Sequence, residues 1–155
     1  YYRIAGPDVA AAIEALIGLT EQLGRKRFRP GPKEPQMRKA RVCYDHLAGK
    51  RGVELFERLT RQKLIALGDD TIGMTERGEA KFRAFGIDIA ALKRAKRPIC
   101  RTCLDWSERR SHLAGGLGAR MLDRIFELSW ATRVEGTRAV RFTAKGEAAF
   151  SALFE

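Results

Sequence analysis

The chain has 155 residues, of which 45% are hydrophobic, so it is long enough to bury a core as one domain or two small units. Its formal net charge of +11 predicts long-range attraction to nucleic acid or another polyanion. No apolar run approaches the roughly 20 residues that span a bilayer, and three cysteines without an export signal argue against a disulfide framework. We therefore expect a cytoplasmic protein with no membrane partner.

Residues 1–24 predict a short strand followed by a helix that begins at Gly6-Pro7-Asp8 and stops near Gly24. The apolar residues of this helix are spaced to form one stripe. Packing against a core is the ordinary use of such a stripe, and pairing with a second copy in a homodimer is the alternative. The residues predicted for a dimer helix are Val9, Ile13, Leu16 and Ile17.

Residues 25–37 combine basic side chains with three prolines, a composition that disfavours regular structure and predicts an extended connector. Between Gly24 and Arg41 there are eight basic residues and one acidic residue. A solvated linker explains this charge, and so does contact with DNA phosphates. The candidates for phosphate contact in this part of the chain are Arg3, Arg25, Lys26 and Arg27.

The remaining chain contains an internal duplication, with one unit at 38–92 and another at 93–155. Both units carry the same segments in the same order: Cys-x-Asp, His-Leu-Ala-Gly, a glycine three residues later, and Thr-x-x-Gly-Glu-Ala-x-Phe. The first copy starts at Cys43 and the second at Cys103. The second copy also has a six-residue insertion, 106–111, ahead of His112.

Each unit predicts a first helix that carries Cys-x-Asp, an amphipathic second helix, a β-hairpin, and a closing helix capped by Thr75 or Thr143. The apolar face of the second helix comprises Val53, Leu55, Phe56, Leu59 and Leu64 in one unit, and Leu117, Met121, Leu122, Ile125 and Phe126 in the other. This order is that of a winged helix. The predicted fold is mainly α with small β-hairpins (α+β), in which a dimerisation-type helix precedes two repeated winged-helix-like units.

Three segments, 1–7, 43–49 and 97–110, resemble the long-form members of the arsenical-resistance repressor (ArsR) family of winged helix-turn-helix regulators. The resemblance implies that residues 1–7 run from a DNA-binding wing into the dimerisation helix, and that a helix-turn-helix lies upstream of Tyr1. It implies a repressor that binds DNA as a homodimer. Metal-sensing members of the family bind cadmium, lead, zinc or arsenite through cysteine thiolates, but their ligands vary, so the resemblance transfers none to this chain.

Thiol and imidazole groups are candidate ligands for a divalent ion such as zinc or cadmium: Cys43, His46, Cys100, Cys103 and His112. Cys43 and His46 are three residues apart, as are Cys100 and Cys103, so each pair would share one face of a helix. No spacing here matches a zinc ribbon or finger. The competing interpretation is structural, with cysteine packing as a small apolar residue and histidine forming a buried hydrogen bond.

Two further sites are predicted near the second unit. An effector pocket would be formed by Tyr44, Asp45, Asp105 and Trp106 and closed by Arg109, whereas a surface loop anchored by one aromatic ring is the alternative. On the second hairpin, candidates for contact with the DNA backbone are Arg133, Arg138 and Arg141. These arginines and the basic linker also suit a module that binds nucleic acid without sequence preference. The sequence contains no nucleophile elbow or phosphate-binding glycine loop, so we do not expect an enzyme.

Overall fold

The computed structural model describes residues 6–22, 31–69 and 71–154. A long helix, α1 (Pro7–Gln22), precedes two units with the same order of elements: short helix, hairpin, longer helix, hairpin, closing helix. The first unit comprises α2 (Pro35–Lys39), β1 (Arg41–Cys43), β2 (His46–Ala48), α3 (Lys50–Arg61), β3 (Ile65–Leu67), β4 (Ile72–Met74) and α4 (Glu76–Ala84). The second comprises α5 (Ile89–Arg94), β5 (Arg101–Asp105), β6 (Arg110–Ala114), α6 (Gly115–Glu127), β7 (Ala131–Arg133), β8 (Val140–Phe142) and α7 (Ala144–Ala152). The predicted α+β fold class is confirmed.

The Cys-x-Asp segment of each unit lies on a β-hairpin and not on a helix. Strand β1 pairs antiparallel with β2, so that Cys43 lies opposite His46, and β5 pairs with β6, so that Cys103 lies opposite His112. The chain reverses direction through Tyr44, whose φ of 57° lies outside the right-handed helical region. The prediction of a first helix carrying Cys-x-Asp is therefore wrong, because helices α2 and α5 end before these hairpins begin.

The inserted residues 106–111 lengthen the first hairpin of the second unit. Strands β5 and β6 have five residues each, whereas β1 and β2 have three each. Side chains alternate between the two faces of a strand, so an insertion of even length leaves Cys103 and His112 in register across the hairpin. The insertion changes the length of the hairpin and preserves the relationship between its cysteine and its histidine.

Helices α3 and α6 supply one side of the hydrophobic core. The residues predicted for their apolar faces are all buried except Phe126, which is partly buried against the same core, but Leu64 lies beyond the end of α3 and not on its face. Phe82 of α4 and Phe150 of α7, each 0% exposed, close the core from the other side. Full burial of one such side chain stabilises the fold by about 1.5–3 kcal/mol.

The two units pack by exchanging helices. Helix α3 of the first unit lies against β6 of the second, and α6 of the second lies against β2 of the first. Glycine is required near the start of α3, because a Cβ on Gly52 would lie 2.3 Å from the carbonyl oxygen of Leu47, with the Cβ of His112 at 3.6 Å. At the equivalent place a Cβ on Gly118 would lie 3.3 Å from the Cβ of His46. Each long helix thus covers the histidine of the other unit.

Backbone hydrogen bonds also join the units. The amide of Val42 in β1 donates to the carbonyl of Arg138 at 2.8 Å, and the amide of Val140 in β8 donates to the carbonyl of Ala40 at 3.0 Å. The hairpin β1–β2 is therefore continued by the second hairpin of the other unit. The two units form one interlocked body, although their sequences read as consecutive repeats.

Threonine caps begin both closing helices, as predicted. The hydroxyl of Thr75 accepts a hydrogen bond from the amide of Gly78 at 2.9 Å, and that of Thr143 accepts one from Gly146 at 2.9 Å. Each bond satisfies an amide of the first helical turn that has no partner within the helix. The hairpins β3–β4 and β7–β8 precede these helices, where the sequence predicts the wings.

Candidate metal centre

Two thiols and two imidazoles meet between the first hairpins of the two units. They belong to Cys43 and His46 of the first unit and to Cys103 and His112 of the second. One candidate ligand atom of each residue lies within 4.8 Å of the others. The two imidazole rings are 5.0 Å apart between centroids, with an angle of 34° between their planes. Four of the five predicted metal ligands are thus brought together.

This Cys–His cluster, defined as Cys43, His46, Cys103 and His112, is largely shielded from solvent. His46 is 4% exposed, His112 1% and Cys103 5%, while the Cys43 side chain is half-buried. Nε2 of His46 and both ring nitrogens of His112 make no hydrogen bond of regular geometry with the described residues, although both rings interact with the sulfur of Cys43. Buried polar atoms in folded proteins are nearly always paired, so three unpaired nitrogens in one place indicate a site that takes a ligand.

The electrostatics of the cluster favour a thiolate. The pKa of Cys43 is lowered to about 3, chiefly by hydrogen bonding with the Cys103 thiol and further by the neighbouring imidazoles of His112 and His46, although burial opposes the change. Burial lowers the pKa of His46, but its interactions with Cys43 and Asp45 outweigh burial and raise the pKa above its usual value. Thiolates are the form of cysteine that binds metals and attacks electrophiles.

Asp45 lies beside the cluster and orients one of its rings. One carboxylate oxygen of Asp45 is 3.1 Å from Nδ1 of His46, and the other accepts a hydrogen bond from Arg97 at 2.7 Å. Burial raises the pKa of Asp45, but Arg97 and His46 outweigh it and lower the pKa below its ordinary value. Asp45 therefore holds Nδ1 and leaves Nε2 of His46 directed into the cluster.

Cys100 does not belong to this group. It lies just before β5 in the hydrophobic core, where burial raises the pKa of its thiol to about 11. The prediction that Cys100 and Cys103 share a helical face is wrong, because residues three apart in an extended segment point to opposite sides. Cys100 is the counterpart of Ala40 in the first unit, and both side chains are buried.

Asp105, predicted for an effector pocket, instead forms a buried ion pair with Arg41. Both carboxylate oxygens accept hydrogen bonds from Arg41 at 2.8 Å, and one also accepts a bond of 2.6 Å from the amide of Gly49. Burial opposes ionisation, but the amides of Glu108 and Gly49 and the charge of Arg41 hold the pKa of Asp105 at about 2. The guanidinium carbon of Arg41 lies 5.2 Å from the centre of the Trp106 ring. Arg41 is not among the predicted site residues, although Arg-x-Cys begins the hairpin in both units.

Two of the five residues predicted for an effector pocket border a cavity. Tyr44 and Asp45 border two cavities of about 390 and 210 Å³, but neither cavity is lined by Asp105, Trp106 or Arg109 in the described part of the chain. Tyr44 lies in the turn of the first hairpin, whereas Trp106 follows β5 and lies beside the guanidinium group of Arg41. A shared effector site for these residues therefore stays a prediction.

The smaller cavity links the Cys–His cluster to helix α1. Its lining includes His46 and Cys103 on one side and Ala10 and Ala11 of α1 on the other. Ala10 is buried, whereas the four large apolar side chains described in α1 are exposed: Val9 46%, Ile13 42%, Leu16 63% and Leu19 53%. The side chain of Ile17 lies outside the described residues. Helix α1 thus rests on the body through small residues and turns its large apolar residues outward.

Comparison with known proteins bears on the class of the chain. It is 37% identical over 150 residues to the protein named uncharacterized HTH-type transcriptional regulator YdfF of Bacillus subtilis (strain 168). The chain is similar to a bacterial transcription regulator. The match covers 97% of this chain and 66% of YdfF, so the chain spans about two thirds of the length of that relative. No family model and no solved structure matches the chain.

The arginines predicted to contact DNA fall into two groups. Arg3, Arg25, Lys26 and Arg27 lie outside the described residues. Arg133, Arg138 and Arg141 are exposed on or beside the hairpin β7–β8, and the guanidinium carbon of Arg133 lies 5.2 Å from the centre of the Phe126 ring. Their use on DNA stays a prediction. Among the helices described, none combines the length and apolar character needed to cross a membrane.

Proposed function

We propose that this chain is the regulatory and dimerisation region of an ArsR-family DNA-binding transcriptional repressor. The observation that carries the proposal is the similarity to YdfF, which runs through α1 and both repeated units and leaves a third of that regulator outside the match. In the full-length protein the remaining third would contain the helix-turn-helix. The chain described here would set the spacing of two such DNA-reading parts and respond to a signal.

The exposed side of α1 supports the dimerisation role. Val9, Ile13 and Leu16 are spaced three or four residues apart, so they form a continuous ridge on the helix. Each is more than 40% exposed, whereas Ala10 is 5% exposed. Burying this ridge against the same ridge of a second copy would remove apolar surface from water in a symmetric interface.

The test is the oligomeric state of the full-length protein that contains this chain, measured by size-exclusion chromatography with light scattering. Ile13→Glu combined with Leu16→Glu is expected to turn a dimer into a monomer and to weaken binding to a palindromic operator. The control is Leu67→Glu, which places one such carboxylate at an apolar residue of β3 that is 51% exposed. A double variant that remains dimeric, or a control that dissociates equally, would contradict the dimer helix.

A thiol-based metal sensor is the second candidate, and a specific observation favours it. The Cys–His cluster and α1 line the same cavity, with His46 and Cys103 facing Ala10 and Ala11 across about 210 Å³. A change in the packing of the cluster would therefore act directly on α1, the helix proposed to form the dimer. In this form of the proposal the signal is an ion or a thiol-reactive compound, and its effect is a change in the dimer and in DNA affinity.

A further inference from the structure

The Cys–His cluster has the composition of a closed tetrahedral metal site. Zinc in structural sites is bound by four protein ligands, and two thiolates with two imidazoles are among the common sets. Calcium and magnesium take oxygen ligands, which the cluster lacks. Two thiolates would also balance the charge of a divalent ion, so the occupied site would be neutral at a place where unbalanced charge is unfavourable.

The backbone holds the four residues in a suitable arrangement. Each hairpin contributes a cysteine and a histidine that are direct partners across its two strands. The candidate ligand atoms lie within 4.8 Å of one another. With zinc–sulfur bonds of about 2.3 Å and zinc–nitrogen bonds of about 2.0–2.1 Å, tetrahedral ligands are roughly 3.3–3.8 Å apart. A contraction of about 1 Å, within reach of side-chain rotation, would complete the coordination.

The unpaired imidazole nitrogens are a separate observation that points to a ligand. His112 is 1% exposed, and neither of its ring nitrogens makes a hydrogen bond of regular geometry in the described part of the chain. Leaving such groups buried and unpaired is unfavourable. An ion bound by one nitrogen of His112 and by Nε2 of His46 would satisfy two of the three unpaired atoms.

Asp45 adds the outer partner that metal-binding histidines usually have. Its carboxylate is 3.1 Å from Nδ1 of His46, and Arg97 holds the same carboxylate from the other side. Such a carboxylate fixes the ring orientation and leaves Nε2 free to bind the ion. The contacts from Arg97 through Asp45 to His46 therefore orient the His46 ring for metal binding.

From these observations we propose that Cys43, His46, Cys103 and His112 bind one divalent ion of the zinc and cadmium class at the junction of the two repeated units. The inference goes beyond the regulatory and dimerisation role, because the site requires neither a dimer nor DNA, and it gives the metal-sensor candidate its ligands. The ion would be shared equally by the first hairpin of each unit. It would add metal coordination to the packing, hydrogen bonds and ion pairs that join the two units.

Cobalt(II) is the probe for the test, because tetrahedral thiolate coordination gives it visible absorption bands that zinc lacks. The purified protein, kept reduced with a phosphine, is titrated with cobalt and then with zinc. We expect the bands to saturate at one ion per chain and to disappear when zinc displaces cobalt. Absence of these bands at excess cobalt, with the thiols confirmed to be reduced, would overturn the proposal.

Variants locate the ion. Cys103→Ser and His112→Gln should each lower the cobalt affinity by more than the roughly 10- to 100-fold that loss of an outer partner causes. Cys100→Ser is the matched control and should keep the spectrum, since Cys100 lies in the core and outside the cluster. If far-UV circular dichroism shows that Cys103→Ser is unfolded, Cys43→Ser at the more exposed sulfur is used in its place.

Two further outcomes decide the matter. Bands that persist in both ligand variants, or that vanish only in Cys100→Ser, would place the ion elsewhere and refute the site. The dimerisation test with the α1 variants contains no metal, so the proposed function and the metal site can fail independently of each other.

Discussion

Arg41 at the start of β1 and Asp105 at the end of β5 form an ion pair with two hydrogen bonds of 2.8 Å, and the two side chains are 1% and 0% exposed. The pair joins the two units beside the Cys–His cluster. Removing one partner of a buried pair leaves an uncompensated charge and costs about 3–5 kcal/mol. We therefore expect Asp105→Ala to lower the free energy of unfolding by about that amount, measured by urea denaturation.

The matched control for this prediction is an exposed ion pair that also joins the two units. Arg110 pairs with Glu57, and the side chains are 61% and 37% exposed. Solvent screens such a pair, so Glu57→Ala should change the free energy of unfolding by less than about 1 kcal/mol. Equal losses in the free energy of unfolding for Asp105→Ala and Glu57→Ala would show that burial does not make the Arg41–Asp105 pair more important for stability than an exposed pair.

Gly146 in helix α7 is expected to reverse the usual effect of replacing glycine by alanine. Inside a helix that change ordinarily stabilises by about 0.5–1 kcal/mol. At Gly146, however, a Cβ would lie 1.8 Å from the carbonyl oxygen of Trp130, so α7 or the hairpin would have to move. We expect Gly146→Ala to destabilise the protein by about 1–3 kcal/mol or more, as judged from the urea midpoint.

Gly73 in β4 provides the comparison for Gly146→Ala. A Cβ at Gly73 would meet no described atom within 4 Å. Gly73→Ala should therefore leave the urea midpoint nearly unchanged. A stabilising effect of Gly146→Ala would contradict the close approach of α7 to the preceding hairpin.

The cysteines are expected to differ in reactivity when a chelator keeps the protein free of metal. Cys43 is half-buried with a pKa lowered to about 3 by its contacts with Cys103 and the imidazoles, so it is a thiolate at pH 7. Burial raises the pKa of Cys100 to about 11, so Cys100 is a protonated, shielded thiol at the same pH. Iodoacetamide labelling followed by peptide mass spectrometry should show Cys43 modified well before Cys100. Faster labelling of Cys100 would disprove this assignment.

Asp45 is predicted to act on metal affinity through His46. Because outer carboxylates orient metal-binding imidazoles, Asp45→Ala should weaken zinc binding by about 10- to 100-fold without abolishing it. Competition with a chromophoric chelator measures the change. Asp123→Ala is the control, since Asp123 lines the larger cavity with Asp45 but pairs with Arg120 on its own helix. Equal zinc affinity of Asp45→Ala and the unchanged protein would remove Asp45 from the site.

Local patterns in the sequence predict much of this fold. Helical spacing identifies the buried faces of α3 and α6, and the Thr-x-x-Gly pattern identifies the caps at Thr75 and Thr143. These features depend on residues within a few positions of one another, which is the range over which helix periodicity and capping operate.

The errors arise where the decisive contacts are distant in sequence or where one spacing suits two structures. Cys43 and His46 are three residues apart, which places them on one face of a helix but equally opposite each other in a hairpin with a two-residue turn. The six-residue insertion between Cys103 and His112 distinguishes the helix from the hairpin. On a helix the insertion would change the face on which His112 lies, whereas in a hairpin it only lengthens the two strands and their turn. The pairing of Arg41 with Asp105 spans 64 positions and has no local signature.

The exchange of helices between the repeats has a consequence for how concentration affects this protein. Cys43 and His46 meet Cys103 and His112 within a single polypeptide, so the ligand set is assembled at any dilution. The association that we propose for α1, by contrast, would follow mass action and weaken as the protein is diluted. Metal loading and self-association should therefore be separable by dilution alone, with the ion retained in the separated subunits.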